Sequence, residues 1–394
     1  MTNKISRSRL SRRQVLKGTA VAATTLAAPA IISSPMRRAR AADDVIRIMG
    51  VTTVALPDWS EFEADTGLKV EFTPIDDAIG TFLHEVEAND AGERYDLFAA
   101  FSGPWKGLAE KGYLLSVDSS RMSNWAGVSE SVQTSPLIMG GEGALWSVPL
   151  VMNADSFAYF PEMLGVPSAP EPVFWNLLFD NDATKGMVAL DDSFFTLQHC
   201  AAYLKFHNIA DIGNPGNLTA SECETVANFL IERKQAGQFR TFWVTYDEQV
   251  SLLVNQEVAV ETAWEPAALE AQAQGVPVEY AWTIEGYDKW MINAFIPQQA
   301  EDRGNLDQIY TALNWFLGGA YAAQIAILRG YVTPRSDLGK AYGEAAGWSP
   351  EQVDAIEDTM NKLDKKFSHE LFWNSGWPDD IEAYEREMSR FKNA

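Results

Sequence analysis

The chain has 394 residues and a formal net charge of −23. That sign is wrong for nucleic acid and for anionic membrane surfaces, and two Cys with four scattered His give no metal-ligand spacing. The length suffices for two lobes, each with its own core.

Residues 1–41 hold nine basic side chains and no acidic one. Ser11-Arg12-Arg13-Gln14-Val15-Leu16-Lys17 reads as a twin-arginine export motif. An uncharged Ala/Thr-rich stretch, 18–36, follows it, and Ala39-Arg40-Ala41 has the small-x-small form of a cleavage site. The expectation is a cleaved signal peptide, 1–41, and a periplasmic mature chain. Losing nine positive charges takes the formal charge from −23 to −32. The acidity reads either as solvation or as a field that concentrates cationic ligands, and charge alone leaves both open.

Val45–Met49 reads as a strand, Leu56–Thr66 as a helix stopped by Gly67, and Leu68–Phe72 as a second strand. This β-α-β unit implies a parallel sheet. Ile79–Val86 is a helix, Tyr95–Ala100 a third strand, and Trp105–Glu110 another helix. The turn at Ser102–Trp105 therefore lies at a strand's carboxyl end, where open α/β sheets hold ligands. A second series begins near residue 150. Met187–Leu190 is a strand ending in Asp191-Asp192, and Ser193 is the expected N-cap of the next helix. A further helix ends at Gln235. Glu257–Ala263 reads as a strand with outward Glu and inward Val and Ala, followed by Trp264, Glu265 and a helix opened by Pro266. Trp290–Ile296 is a strand, Leu306–Leu328 is helical, and Val332–Pro334 is extended. The tail is helical. Cys200 and Cys223 are either a disulfide or two separate buried thiols, and the sequence leaves both open.

No G-x-S-x-G, P-loop, dinucleotide or H-E-x-x-H motif occurs. With 54 acidic residues, carboxylate pairs are no guide to catalysis. What stands out is aromatic and acidic residues at strand ends: Asp192, Trp264, Glu265, Trp290 and Tyr331. A carboxylate beside Trp faces suits an ammonium group, and the same faces would stack on a sugar ring.

Tyr95-Asp96-Leu97, the 108–114 stretch and Trp146-Ser147-Val148-Pro149, after an export signal, resemble bacterial extracellular solute-binding proteins of ABC importers. The 174–177 stretch, Leu190-Asp191-Asp192, Trp264, Lys289-Trp290-Met291 and the 330–334 stretch are similar to the spermidine/putrescine-binding branch. The resemblance implies an α/β, two-lobed periplasmic binding protein of type II with a ligand cleft between lobes. It implies lobe 1 as 42–150 plus 288–333 and lobe 2 as 151–287 plus 334–394. It implies hinges near 149–152, 283–288 and 333–335, a monomer, and an inner-membrane ABC permease as partner. Trp264, Trp290 and Tyr331 match the family's aromatic box, and Asp192 matches an amine-binding carboxylate. Ser102 and Trp105, at the first-lobe turn, and Glu265, as a substitute counter-ion beside Glu261, complete the expected ligand site. No cofactor or metal is expected.

The departures concern charge and shape. The branch's first-loop aromatics fall at Gly50 and Thr53, its second carboxylate near Asp192 at Phe195, and its acidic residue after Trp290 at Ile292. Phe101 and Gly103 stand where Ser and Tyr are expected. The expected function is capture of a small amine-containing, polyamine-like solute for import. The alternatives are an opine, sugar or other organic solute on the same fold, presentation of the ligand to a sensor kinase, and an exported enzyme.

Overall fold

The computed structural model describes residues 44–76, 79–369, 374 and 376–394. The twin-arginine motif and the cleavage site lie outside the described residues. Ten strands form in chain order: β1 (Val45–Val51), β2 (Lys69–Ile75), β3 (Leu97–Phe101), β4 (Leu114–Leu115), β5 (Val148–Tyr159), β6 (Val188–Asp191), β7 (Phe239–Trp243), β8 (Val260–Ala263), β9 (Glu279–Tyr280) and β10 (Asp288–Pro297). Their lateral order is β2-β1-β3-β10-β5-β8-β6-β7, with β4 beside β10 and β9 beside β5.

The two expected parallel series are present. β1 pairs in parallel with β2 and β3, and β6 with β7 and β8. What joins them is antiparallel. β10 runs against both β3 and β5, and β5 runs against β8. β5 is one twelve-residue strand, buried at every position. Its first part, through Asp155, pairs with β10, and from Ser156 it pairs with β8. The change of partner between Asp155 and Ser156 is where the two series meet.

Each series has its own apolar core. One gathers Ile46, Phe62, Leu150, Ile292, Phe316 and Tyr321. The other gathers Phe157, Trp175, Leu190, Leu204, Val226 and Tyr384. The segment 334–394, expected wholly in the second lobe, divides between them. Helix Pro350–Phe367 puts Leu363 into the first core and Ile356 against Ala323 and Ala326, whereas helix Ile381–Asn393 puts Tyr384 and Phe391 into the second.

Local chemistry sets the boundaries. The first helix spans Ser60–Thr66 rather than starting at Leu56, because Asp58 accepts from the Ser60 N–H ahead of it. Helix Ala220–Gln235 begins at a Thr219–Glu222 capping box, a device that contributes about 1 kcal/mol. The 306–328 helix is two, Leu306–Phe316 and Gly319–Arg329. A Cβ on Gly319 would lie 2.7 Å from the Leu338 carbonyl oxygen, so the break also serves a close backbone approach. Cys200 and Cys223 are separate buried thiols. Among the described residues no helix is long and apolar enough to cross a membrane.

Candidate functional site

Carboxyl ends of strands from both series converge on the Asp155–Ser156 crossing, and there the molecule opens a cleft of about 420 Å³. Phe101 ends β3, Asp191 ends β6, Trp243 ends β7, and Thr262 and Ala263 end β8, and all line the cleft. β5 contributes Asp155 and Ser156, and β10 contributes Asp288 and Trp290. This is the position that the rule for open α/β sheets assigns to ligands.

The walls are aromatic and come from both series. Trp290 meets Tyr331 edge-on at 5.2 Å and Phe101 at 5.9 Å between ring centroids. Opposite them, Trp264 sits edge-on to Trp243 at 5.4 Å and is stacked on Tyr246 at 6.4 Å. Phe194 and Phe195, at the start of helix Phe195–Phe206, add a second aromatic corner. Trp290 is nearly buried, while Trp264 is 36% exposed. Trp290 is thus the fixed wall and Trp264 the open one.

The floor is acidic. Asp155 and Asp288 are directly opposed across the β5–β10 ladder, a relation that holds Cβ atoms about 5 Å apart. Asp155 accepts from the Trp290 indole N–H at 2.6 Å and from the Asn153 amide at 2.7 Å. Burial, and after it the Asp288 charge, push Asp155 up to about 7 despite the Trp290 bond. Burial likewise raises Asp191 to about 6, against the opposing bonds from Ser193. Asp288 Oδ2 bonds His199 Nε2 at 2.7 Å and the Asn374 amide nitrogen at 3.1 Å. Its Oδ1 is buried with no partner among the described residues. No Lys or Arg lines this cleft among the described residues. Nor, among them, do three His, Cys, Asp or Glu side chains gather as a metal ion would require.

Of the seven residues expected at the site, Trp264, Trp290 and Tyr331 line the cleft. Four do not. Asp192 lies one residue beyond the end of β6; Asp191 takes the cleft face, and Asp192 instead pairs with Lys392 at 2.5 Å. Glu265 accepts two bonds from Lys362, at 3.0 and 3.1 Å, and one from Lys366 at 3.4 Å, so its charge is already matched. Ser102 is buried, its N–H donating to Met291 and its carbonyl accepting from Gly376. The Trp105 ring stacks on Trp146 at 6.2 Å with 8° between planes. Glu261, expected to face outward, is fully buried with neither oxygen partnered among the described residues, and burial raises it to about 9.

Sequence reasoning missed Asp155, Asp288, His199 and Asn374. Asp155 sits in the mostly apolar run 148–159, whose other polar residues are Asn153 and Ser156, and an acid in such a run was the available signal. Thr53, Phe101 and Phe195, noted as departures, do line the cleft. At Thr53 a hydroxyl stands in place of an aromatic ring, and at Phe101 and Phe195 a ring stands in place of a polar group.

The described chain matches the family model of bacterial extracellular solute-binding proteins over residues 59–345. It is 22% identical over 275 residues to the spermidine/putrescine-binding periplasmic protein of Escherichia coli K12, covering 70% of this chain and 72% of that one. The spermidine/putrescine ABC transporter substrate-binding protein PotD of Streptococcus pneumoniae, solved with calcium and HEPES, superposes with a TM-score of 0.68 at 18% identity. That superposition covers 89% of this chain and 98% of the other. The binding protein AgtB of A. tumefaciens R10, solved with agropinic acid, superposes with a TM-score of 0.58 at 14% identity, covering 89% and 99%.

Proposed function

Since the chain belongs to the bacterial extracellular solute-binding protein family, we propose that it captures a small amine-bearing cation in the cleft and delivers it to an inner-membrane ABC permease. The observation that carries this reading is the acidic floor: Asp155, Asp191 and Asp288 face one cleft whose described lining holds no Lys or Arg. A buried carboxylate without a cation is costly, and a bound ammonium would supply the missing charge. The Trp290 and Trp264 faces would take the methylene and ammonium surface of such a ligand through apolar contact and cation–π attraction. Relatives whose names record spermidine and putrescine fall on the same side of this choice.

The neighbour solved with agropinic acid motivates a second reading, an opine. Opines carry carboxylates, which ask for basic donors, and the described lining offers no Lys or Arg and one His, His199, that already bonds Asp288. The amine is therefore favoured over the opine, and over catalysis. The signal peptide, the periplasmic location and the monomer belong to this same reading. So do two lobes that close by hinge rotation about the β5–β10 crossing.

A melting-temperature screen against amines, opines, amino acids and sugars tests it. A ligand at 100 times its dissociation constant adds about 2.7 kcal/mol of stability. Stabilisation confined to amines is the expected result. Stabilisation by anionic or neutral solutes alone would overturn the reading.

A further inference from the structure

Asp288 is 5% exposed and Asn374 also 5%. Both line the cleft. Each uses one terminal atom in their mutual bond, Asn374 Nδ2 donating to Asp288 Oδ2, and each has its other oxygen buried without a donor among the described residues. His199 Nε2 holds the same Oδ2 at 2.7 Å, so the carboxylate cannot swivel to satisfy Oδ1 without losing a bond. Asp155 stands opposite on β5, its Oδ1 accepting from Asn153 and, at 3.5 Å, from Tyr280, and its Oδ2 accepting one bond, from Trp290, and able to accept another. Three acceptor groups therefore surround one end of the cleft, and the two unpaired oxygens among them, on Asp288 and Asn374, need a hydrogen, not only a positive charge. A methylated ammonium brings charge without hydrogens. A primary ammonium brings three N–H donors.

We propose that the Asp288–Asn374–Asp155 floor is a subsite for a primary ammonium group, so that the ligand must carry an unsubstituted terminal amine. This rests on the cationic reading of the cleft and narrows it. The ammonium would donate to Asp288 Oδ1, Asn374 Oδ1 and the Asp155 carboxylate, with His199 acting as a positioning residue that fixes Asp288. Quaternary ammonium compounds would satisfy the charge and leave the Asp288 and Asn374 oxygens dry and unpaired, which a hydrogen-bonding site rejects strongly.

Calorimetric titration with two dications of equal charge and spacing tests this. The probes are 1,4-diaminobutane and its bis(trimethylammonio) counterpart. The expected result is binding of the diamine and at least about 100-fold weaker binding of the quaternary compound. Asp288→Asn should weaken diamine binding by about 30-fold or more and the quaternary compound by a smaller factor, since the diamine loses a charge partner and a hydrogen-bond acceptor and the quaternary compound only the charge. Circular dichroism of the variant checks that it folds, and Asn374→Leu, which removes the second acceptor at similar volume, should weaken the diamine more than the quaternary compound. Equal affinity for the two dications would overturn the subsite and spare the cationic reading. So would wild-type diamine affinity in a folded Asp288→Asn. Failure of both dications, with uptake of an anionic or neutral solute instead, would overturn the cationic reading together with the subsite.

Discussion

Asp155, a buried acid, and Glu265, a half-buried one, both lie close to the β5 crossing, yet they are in opposite states. Glu265 opens helix Glu265–Ala273 and meets Lys362 and Lys366 from helix Pro350–Phe367. Burial alone would raise it, but the two lysines outweigh burial and hold it below its ordinary value. Lys366 is itself buried, bonded to the Ala154 carbonyl and set over the Tyr280 and Tyr287 rings. Asp155, one residue along β5 from Ala154, has no lysine of its own at hydrogen-bonding distance and is raised to about 7. The acids of the clasp carry a structural charge pair within the chain. The acids of the floor hold charge that the described lining leaves uncompensated. Buried acids alone do not mark a ligand site; buried acids gathered on a cleft whose described lining holds no Lys or Arg do.

The clasp gives the largest expected effect. Glu265→Gln leaves the Lys366 ammonium buried without its anion, and should lower stability by about 3–5 kcal/mol in denaturant titration. Diamine affinity should change by about threefold at most, since Glu265 does not line the cleft. A large affinity loss with little loss of stability would erase the distinction between the two groups.

The floor should show the reverse. Asp155→Asn removes one of two facing charges, so the unliganded protein should become more stable. Cation binding should weaken by about 2–5 kcal/mol, read by calorimetry. A variant that is less stable and binds normally would place Asp155 with the clasp.

Glu261 sharpens the contrast, being a buried acid that neither group uses. Its folded value, about 9, lies above the ordinary 4.5. Below the lower value both states are protonated and nothing is lost. Between the two, only the unfolded chain ionises, so stability falls as pH rises. Glu261→Gln should remove this slope, making the variant more stable relative to wild type at about pH 8 than at about pH 5, by about 4 kcal/mol. A parallel pH dependence of the two proteins would contradict the burial of that side chain.

The smallest effect belongs to the open wall. Because Trp264 is more than a third exposed, Trp264→Ala should weaken cation binding by only about 1 kcal/mol. A loss as large as that in Asp155→Asn would mean that the cleft closes over Trp264 when occupied.

The fold was legible because alternation and helical spacing mark β1 to β3, and because turn residues punctuate them. β5 was missed. Its twelve residues are buried on both faces, so it carries no alternation, and its antiparallel pairing with β10 joins segments more than a hundred residues apart. The same fact hid the floor. Asp155 and Asp288 become a pair only through that register, which neither segment announces alone. The aromatic walls were legible because Trp264, Trp290 and Tyr331 stand at strand ends and in family order. Asp192 was chosen over Asp191 by matching motifs. Successive residues at a strand end point to opposite sides, so an offset of one exchanges a cleft acid for one that pairs with Lys392.

The central claim is that the floor keeps its charge for a cation, and proton release on binding tests it most directly. Burial first, then the Asp288 charge, opposed by the Trp290 N–H and by Lys366, set the free Asp155 value at about 7. An ammonium at the floor lowers that value, so between the bound and the free value binding expels a proton, and affinity rises with pH until about 7 and then levels. Titration with 1,4-diaminobutane near pH 6, in two buffers of different ionisation enthalpy, reads the proton count. The account predicts release of up to about one proton per ligand bound. Binding with no proton release, or with uptake, would contradict it.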